Sequence, residues 1–342
     1  MSHDTLAIIW FALWGVIWTV YFILDAYSLG TGMLFGKITK DRAERNQLQE
    51  AIGPFWNGNE VWLITAGGAT FAAFPIVYAD MFSFLYEAMM LILFALILRA
   101  ASLEFMHKDD HPKWIATCKW TFIISSFALP VLFGVAFSNL YYGLLIGPNG
   151  YEGNLFSLLH RYALLGGALF VALFMTSGAL WIMIKTAGEV AERASKIARY
   201  TSIAAGGILP IYFVATANKT FIFDNFNDNP ILYAIPLLCM ITAIMTIVFV
   251  FKNKVGLAFT NVCLTIGTFM ATGFIGMFPR MLPSRINDAL SITLFEARGS
   301  ELNLKIMFGV AMVTVPIVIS YQLWSYTLFK TKLTKQNAKG YH

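Results

Sequence analysis

Long apolar runs recur along the chain and are the feature that most restricts its fold. A helix needs about 20 mostly apolar residues to cross a bilayer, and the sequence contains nine runs of about that length. They cover residues 6–29, 58–76, 79–104, 116–142, 160–184, 198–217, 230–251, 255–278 and 303–329. Hydrophobic residues make up 58% of the 342 positions and charged residues only 13%. The sequence therefore predicts an all-α integral membrane protein with about nine transmembrane helices.

The distribution of basic residues predicts how these helices are oriented. About sixteen Lys and Arg residues, from Lys37 to Lys339, lie in or beside one set of alternate loops and the C-terminal tail, against about six on the other side. Because cytoplasmic loops carry the excess of Lys and Arg, we expect an external N-terminus and a cytoplasmic C-terminus. This topology accounts for the net charge of +5, and we expect no nucleic-acid partner.

Two of the apolar runs follow each other almost without a break. Runs 58–76 and 79–104 are joined by a short segment around Pro75, Val77 and Asp80. Two long helices with so short a connection are expected to form an antiparallel hairpin.

Asp25 is the first carboxylate inside an apolar run and lies near the predicted cytoplasmic end of run 6–29. An acid within a membrane helix is costly and counts as a functional candidate. Two interpretations stay open. Asp25 is either an interfacial carboxylate paired with a loop lysine, or a proton-conducting or packing-critical acid that faces a partner.

A polar and aromatic motif opens the second run. Its members are Trp56, Asn57, Gly58, Asn59, Glu60 and Trp62. Asn57 followed three residues later by Glu60 has the spacing of a capping box, in which Asn57 accepts from an early backbone N–H and Glu60 reaches back to the cap. We expect this structural role for Glu60, with a dedicated proton site as the alternative.

Glu87 is the carboxylate that the pattern explains least. It lies seven residues beyond Asp80 in run 79–104, so a continuous helix would carry it roughly 10 Å into the bilayer. There it must pair, protonate or face a cavity. The two interpretations are a protonated carboxyl hydrogen-bonded to a neighbouring helix and a functional proton or ligand site.

Arg99 and Glu104 lie five residues apart near the inner end of the same run. Both side chains are long enough to extend to the headgroup region. We therefore expect both to be solvated at the membrane interface.

The residue types that ligate metals and haem are poorly placed for that role. The five histidines, His3, His107, His111, His160 and His342, fall in tails, in a loop or at a helix edge. The three cysteines, Cys118, Cys239 and Cys263, form no CxxC motif and are expected to be small buried hydrophobic residues. We expect this chain to bind no haem or metal and to contribute no catalytic residue of its own.

From physical chemistry alone, the protein is a polytopic membrane protein with a few buried carboxylates. Such a protein is a secondary transporter or proton channel that uses Asp25, Glu60 and Glu87, a structural scaffold, or a subunit of a larger enzyme. The residues themselves do not decide among these classes.

Several stretches together resemble the small subunit, subunit II, of cytochrome bd quinol oxidase. Residues 21–30 look like the family's LDGFDLG segment, and residues 52–79 resemble its most specific block, around WDGNEVW. Further similar stretches are residues 134–139, 185–189, 278–284 and 303–304. The resemblance spans almost the whole chain at matching spacings.

The resemblance implies a complex that oxidises membrane quinol and reduces oxygen to water. In that family the large subunit I carries haem b and haem d, and the small subunit packs against it, helping with stability, proton supply and oxygen access. A further small single-span subunit is common in such complexes, and membrane lipid surrounds them in the bacterial cytoplasmic membrane. The implied fold is two four-helix bundles plus one peripheral helix, which assigns residues 1–145, 146–280 and 281–342 to these three units.

One residue departs from the family motif in a way that affects chemistry. The family commonly has an acid where this chain has Asn57. An amide cannot release a proton at any accessible pH. Asp25 matches the family's acid in the first helix, and we expect it to be the better candidate for a proton path.

Overall fold

The computed structural model describes residues 1–338, so the predicted roles of Lys339 and His342 lie outside the described residues. Thirteen α-helices are present in this part of the chain. They are α1 His3–Ile38, α2 Arg42–Ile52, α3 Trp56–Ala73, α4 Pro75–Phe84, α5 Tyr86–Phe105, α6 Pro112–Tyr142, α7 Arg161–Lys185, α8 Glu189–Lys219, α9 Asp224–Asp228, α10 Ala234–Phe251, α11 Val255–Met277, α12 Leu294–Ala297 and α13 Glu301–Leu328. Two short antiparallel hairpins close loops at the end of the molecule where the N-terminus lies. They pair Ile146–Gly147 with Gly150–Tyr151 and Arg280–Leu282 with Ile292–Thr293.

The long helices pack as two bundles with one helix outside them. The first bundle contains α1, α3, α5 and α6, and the second contains α7, α8, α10 and α11. Helices α1 and α6 also pack against α7, so the two bundles share an interface. Helix α13 contacts α1 and α3 and is otherwise exposed. The predicted fold class is confirmed, while the boundaries of the three units stay a prediction.

Helix α1 passes very close to α7 at a pair of glycines. A Cβ atom on Gly30 would lie 1.9 Å from the carbonyl oxygen of Phe174, and one on Gly178 would lie 2.3 Å from the carbonyl carbon of Gly30. Small residues allow membrane helices to approach backbone to backbone. Helix α1 continues past this contact to Ile38, so the predicted end of the first helix at residue 29 is wrong. Asp25 lies well inside the helix.

The segment predicted as one helix over 79–104 is interrupted. Only Phe74 separates α3 from α4, and a second break at Leu85 divides α4 from α5. Helices α3 and α5 run antiparallel, because Glu60 near the start of α3 meets Arg99 near the end of α5. The predicted antiparallel arrangement is therefore present, but the ten-residue helix α4 lies between the two helices in place of the predicted short link. The two helices diverge around an apolar crevice of about 370 Å³, whose floor is Trp18 and Phe133.

Loops that are predicted to be cytoplasmic meet at one end of the molecule. Arg42 pairs with Asp110 at 2.9 Å, and Glu44 pairs with Arg193 at 2.6 Å. At the opposite end Arg298 pairs with Asp4. The helices therefore alternate in direction as the distribution of basic residues predicts, with the N-terminus at the end poor in basic residues.

Candidate functional site

Three charged side chains from three helices meet inside the first bundle, and we call Asp25, Glu60 and Arg99 the charge cluster. Arg99 Nη1 lies 2.5 Å from Glu60 Oε1, and Arg99 Nη2 lies 3.9 Å from Asp25 Oδ1. Arg99 Nη2 also donates to Ser28 Oγ at 2.6 Å. The side chains of Asp25 and Arg99 are completely buried, whereas that of Glu60 is 17% exposed. The cluster thus reaches the surface of this chain through Glu60.

The two carboxylates are held unequally by one cation. Glu60 is within hydrogen-bond distance of Arg99, whereas Asp25 is at ion-pair distance only. The buried Tyr21 hydroxyl faces the same Asp25 carboxylate from one turn earlier in α1. With all three groups ionised the cluster carries one net negative charge, so the uptake of one proton makes it neutral. Of the two carboxylates, Asp25 lies farther from the cation.

The predicted interfacial position of Arg99 is wrong, because the guanidinium has better partners inside the protein than at the headgroups. It pairs with two carboxylates, bonds Ser28 and lies 5.8 Å from the centroid of the Trp56 ring. A buried ion pair is stable only when such partners replace water. Glu104, by contrast, is partly exposed.

The predicted capping box at the start of α3 is also wrong. The helix begins at Trp56, its N-cap is Phe55, and no side chain bonds the cap. Since the helix starts two residues earlier than expected, Asn57 and Glu60 both lie within it. Asn57 is exposed, and Glu60 turns to Arg99.

The remaining motif residues tie α3 to its neighbours. Asn59 is fully buried and donates to the Leu24 carbonyl oxygen and to the Tyr27 hydroxyl, both at 2.9 Å. Trp62 Nε1 donates to Gln322 Oε1 at 2.9 Å. Gly58 is exposed, with no atom within 4 Å of a Cβ built on it. The buried face of the motif thus connects α1, α3 and α13.

Glu87 does not belong to the charge cluster, and its predicted position inside the bilayer is wrong. The break at Leu85 places Glu87 in the first turn of α5, where it is exposed and accepts a hydrogen bond from the Leu155 N–H at 3.2 Å. It lies twelve residues before Arg99 on the same helix, which is about 18 Å along the axis. Glu87 therefore ties a loop to the outer end of α5.

Residues 1–338 contain no group of three or more His, Cys, Asp and Glu side chains that could hold a metal ion. His160, the histidine beside a spanning helix, caps α7 by accepting from the Ala163 N–H and lies 3.1 Å from Asn139 Oδ1. Both ring nitrogens are thus already engaged.

Besides misplacing Arg99, sequence reasoning did not identify four residues of the site. They are Ser28, Tyr27, Gln322 and Tyr326. Ser28 bonds Arg99, and the other three form a polar network around Asn59. One available signal was a pair of acids and a single arginine in neighbouring apolar runs, since buried charges in membranes pair with each other.

The fold and the charge cluster define a multi-pass helical membrane protein with a buried ion-pair site. Residues 6–329 match the family model of cytochrome bd terminal oxidase subunit II, and the chain belongs to that family. It is a subunit of a bd-type terminal oxidase, which is an oxidoreductase complex.

Full-length relatives agree with this assignment. The chain is 33% identical to cytochrome bd-I ubiquinol oxidase subunit 2 of Escherichia coli (strain K12), with 98% of this chain and 97% of the relative covered. It is 32% identical to cytochrome bd ubiquinol oxidase subunit 2 of Bacillus subtilis (strain 168), with 99% of both chains covered. In a solved structure, the bd oxidase from Geobacillus thermodenitrificans, a chain 14% identical superposes with a TM-score of 0.79 over 95% of this chain and 98% of that one. At this identity the superposition shows a shared fold.

Proposed function

We propose that this chain is the haem-free subunit II of a quinol oxidase that oxidises membrane quinol and reduces oxygen to water. Its partner is a large subunit that holds haem b and haem d, and a small single-span subunit completes the complex in lipid of the bacterial cytoplasmic membrane. The similarity to ubiquinol oxidase subunits of two bacteria supports quinol as the substrate. The position of His160 as a helix cap supports haem ligation by the partner.

The charge cluster is the observation that carries the proposed role of this chain, which is to supply protons to the complex. Asp25 is buried, is 3.9 Å from its cation and lies beside Glu60, which is partly exposed. In this proposal a proton enters at the partly exposed Glu60 and is held at the buried Asp25, the two carboxylates sharing the charge of Arg99. Asn57, exposed and without an acidic proton, takes no part in this transfer.

The test of the proton role is Asp25→Asn in the complete complex. This change keeps the side-chain volume and removes the exchangeable proton. We expect full haem content with slowed oxygen reduction. Asp80→Asn, which changes a partly exposed acid outside the cluster, is the matched control and should turn over normally. Normal turnover in a haem-replete Asp25→Asn complex would leave the cluster with a packing role only.

The apolar crevice between α3 and α5 supports a role in oxygen access. It offers about 370 Å³ of apolar space from the surface of α5 to Trp18, and oxygen dissolves preferentially in apolar surroundings. Gly67 lines the crevice, with no atom within 4 Å of an added Cβ. Gly67→Leu should raise the KM for oxygen and leave kcat unchanged. The control is Gly207→Leu, at another open glycine in α8, and equal KM values for the two variants would contradict oxygen access here.

The transporter or channel alternative relied on a common path through Asp25, Glu60 and Glu87. Glu87 lies at the other end of α5 from Arg99 and bonds a loop. The three carboxylates therefore offer no common path, and the family assignment favours the oxidase. The structural scaffold interpretation differs from the proposed proton role only in that it predicts normal turnover for the Asp25→Asn complex.

A further inference from the structure

Near its C-terminal end, the largely exposed helix α13 turns two polar side chains toward the bundle. Its large apolar side chains, such as Val313 and Leu323, are exposed, whereas Gln322 and Tyr326 contact α1 and α3. These two residues are four apart and so lie on one face of the helix. A polar side chain within the bilayer requires a partner. The partners of Gln322 and Tyr326 therefore indicate the structural role of α13.

The partners of Gln322 determine the orientation of its amide. Trp62 Nε1 can only donate, and it donates to Gln322 Oε1 at 2.9 Å. The Gln322 NH2 group must then point away, and it lies 3.4 Å from Asn59 Oδ1. Asn59 in turn directs its own NH2 group to the Leu24 carbonyl oxygen and the Tyr27 hydroxyl, each at 2.9 Å. A directed chain of hydrogen bonds thus runs from α13 through α3 to α1.

Tyr326 supports this chain from one turn further along α13. Its hydroxyl lies 2.7 Å from the Tyr27 hydroxyl, which also accepts from Asn59. Its ring stacks on Phe55, with centroids 4.8 Å apart and an interplanar angle of 10°. Because Phe55 is the N-cap of α3, Tyr326 fixes the start of that helix.

The chain of hydrogen bonds ends on the two backbone segments that carry the carboxylates of the charge cluster. Leu24 directly precedes Asp25, and Asn59 directly precedes Glu60. Arg99 holds the same turn of α1 from the opposite side through Ser28 Oγ. The separation of the two carboxylates therefore depends on bonds that originate in α13.

We propose that Gln322 is a positioning residue for the charge cluster and acts through Asn59, with Tyr326 in support. Its contacts are with Asn59 and Trp62, neither of which belongs to the cluster. Loss of the Gln322 amide frees Asn59 to turn, and the Asp25 turn of α1 then loses a bond that fixes it relative to Glu60. The inference rests on the proposed proton role of Asp25.

The test compares Gln322→Leu with Thr327→Val in the complete complex. Thr327 is an exposed α13 residue whose hydroxyl donates to the Trp324 carbonyl of the same helix. Its replacement therefore controls for effects of changing a polar residue of α13 that does not bond the bundle. We expect Gln322→Leu to keep full haem and an unchanged KM for quinol, and to lower kcat about three- to tenfold, the effect of one lost hydrogen bond near the reacting group. Thr327→Val should match the wild type.

Infrared difference spectra separate positioning from simple structural support. The carboxyl bands of the cluster are assigned by their loss in Asp25→Asn and Glu60→Gln, and we expect them to shift in Gln322→Leu. Tyr326→Phe keeps the stack on Phe55 and removes one hydroxyl, so it provides a milder variant if Gln322→Leu does not assemble. It should shift the bands in the same direction by a smaller amount.

The two proposals fail in distinguishable ways. Wild-type turnover and wild-type bands in Gln322→Leu would overturn the positioning role, whatever Asp25→Asn does. Wild-type turnover in Asp25→Asn would overturn the proton role, and the bands of Gln322→Leu would still decide whether Gln322 positions the cluster.

Discussion

Arg99 is the residue on which the charge cluster depends. It is completely buried, and its guanidinium bonds Glu60 and Ser28 and pairs with Asp25. The planar guanidinium reaches all three because its donors point in several fixed directions. A lysine at this position would offer one compact charge and could not satisfy all three partners.

Removing that cation should damage the complex more than removing the whole cluster. Arg99→Met leaves Asp25 and Glu60 buried without a counterion, and breaking such a pair typically costs about 3–5 kcal/mol. We expect a large loss of assembled complex on thermal challenge, measured by size-exclusion chromatography of the membrane extract. The triple variant Arg99→Met with Asp25→Asn and Glu60→Gln should recover much of that loss. A single variant as stable as the triple one would contradict the pairing.

At the residue scale, the sequence identifies acids better than it identifies their partners. Asp25 and Glu60 stand out because acids are rare in apolar runs, and the structure brings them together. Arg99 was assigned to the interface because a long side chain near a helix end reaches the headgroups. Pairing across helices depends on tertiary contacts, which local spacing does not encode. The same limit applies to Gln322, whose partners lie about 260 positions earlier in the chain.

At the scale of elements, the contact between α1 and α7 holds the two bundles together. Gly30 and Gly178 meet there with no room for a Cβ atom on either residue. Packing in the bilayer gains little from the hydrophobic effect, so close van der Waals contact supplies much of the stability. The contact also lies one turn beyond Asp25 on α1, near the charge cluster.

Gly178→Leu should separate α1 from α7, because the added Cβ would lie within 2.4 Å of the Gly30 and Thr31 backbone. Backbone atoms cannot rotate aside as a flexible side chain can, so we expect poor assembly and low haem content. Gly207→Leu is the matched control, since no atom lies within 4 Å of a Cβ there. Haem content per membrane protein, measured for both variants, tests the contact. Equal values would mean that the two helices can move apart without loss.

Hydropathy predicts the number of helices well and their interruptions poorly. Within residues 1–338, eight helices are long and apolar enough to cross a membrane. The remaining predicted run, 58–76, forms the 18-residue helix α3. The break at Leu85 carries no Gly or Pro at that position, and α4 contacts α12 and the strand Arg280–Leu282 of the outer loops. The length of α1 is likewise not predicted by hydropathy. Polar and small residues after position 28 lower the hydropathy, yet they are buried against α6 and α7.

At the scale of the whole molecule, the C-terminal tail connects the two bundles at the cytoplasmic end. Leu333 is bound by Gln47 of α2 and by the backbone of Lys185 and Ala187, at the junction of α7 and α8. Lys335 continues the connection to α2 by pairing with Asp41 at 2.8 Å and with Glu44 at 2.9 Å. Together with the Arg298–Asp4 pair, this tail adds contacts beyond the two ends of α13.

Electrostatics make this connection dependent on pH. Burial raises the pKa of Glu44, but hydrogen bonds from Arg193, Lys335 and the Lys40 N–H outweigh it and leave the pKa below its usual value. The hydrogen bond from Lys335 likewise lowers the pKa of Asp41. A carboxylate with a lowered pKa in the folded state stabilises that state above its unfolded pKa, and the stabilisation is lost as the pH falls through its folded pKa. The tail should therefore be bound at neutral pH and released as the pH falls below about 4, the pKa of free Asp and Glu, toward the lower pKa values of Asp41 and Glu44 in the folded state.

Release of the tail can be followed with a nitroxide spin label at Ala338→Cys, after the three native cysteines are replaced. We expect its mobile fraction to rise as the pH falls below about 4, and to rise already at neutral pH in Lys335→Gln, which removes both ion pairs. Lys332→Gln changes a neighbouring exposed lysine and should leave the label as immobile as in the unmodified tail. The ion pairs involve partly exposed groups, so the neutral-pH effect should be about two- to fivefold in the mobile fraction. A label equally mobile in both lysine variants would show that Leu333 and the backbone bonds hold the tail without help from Lys335.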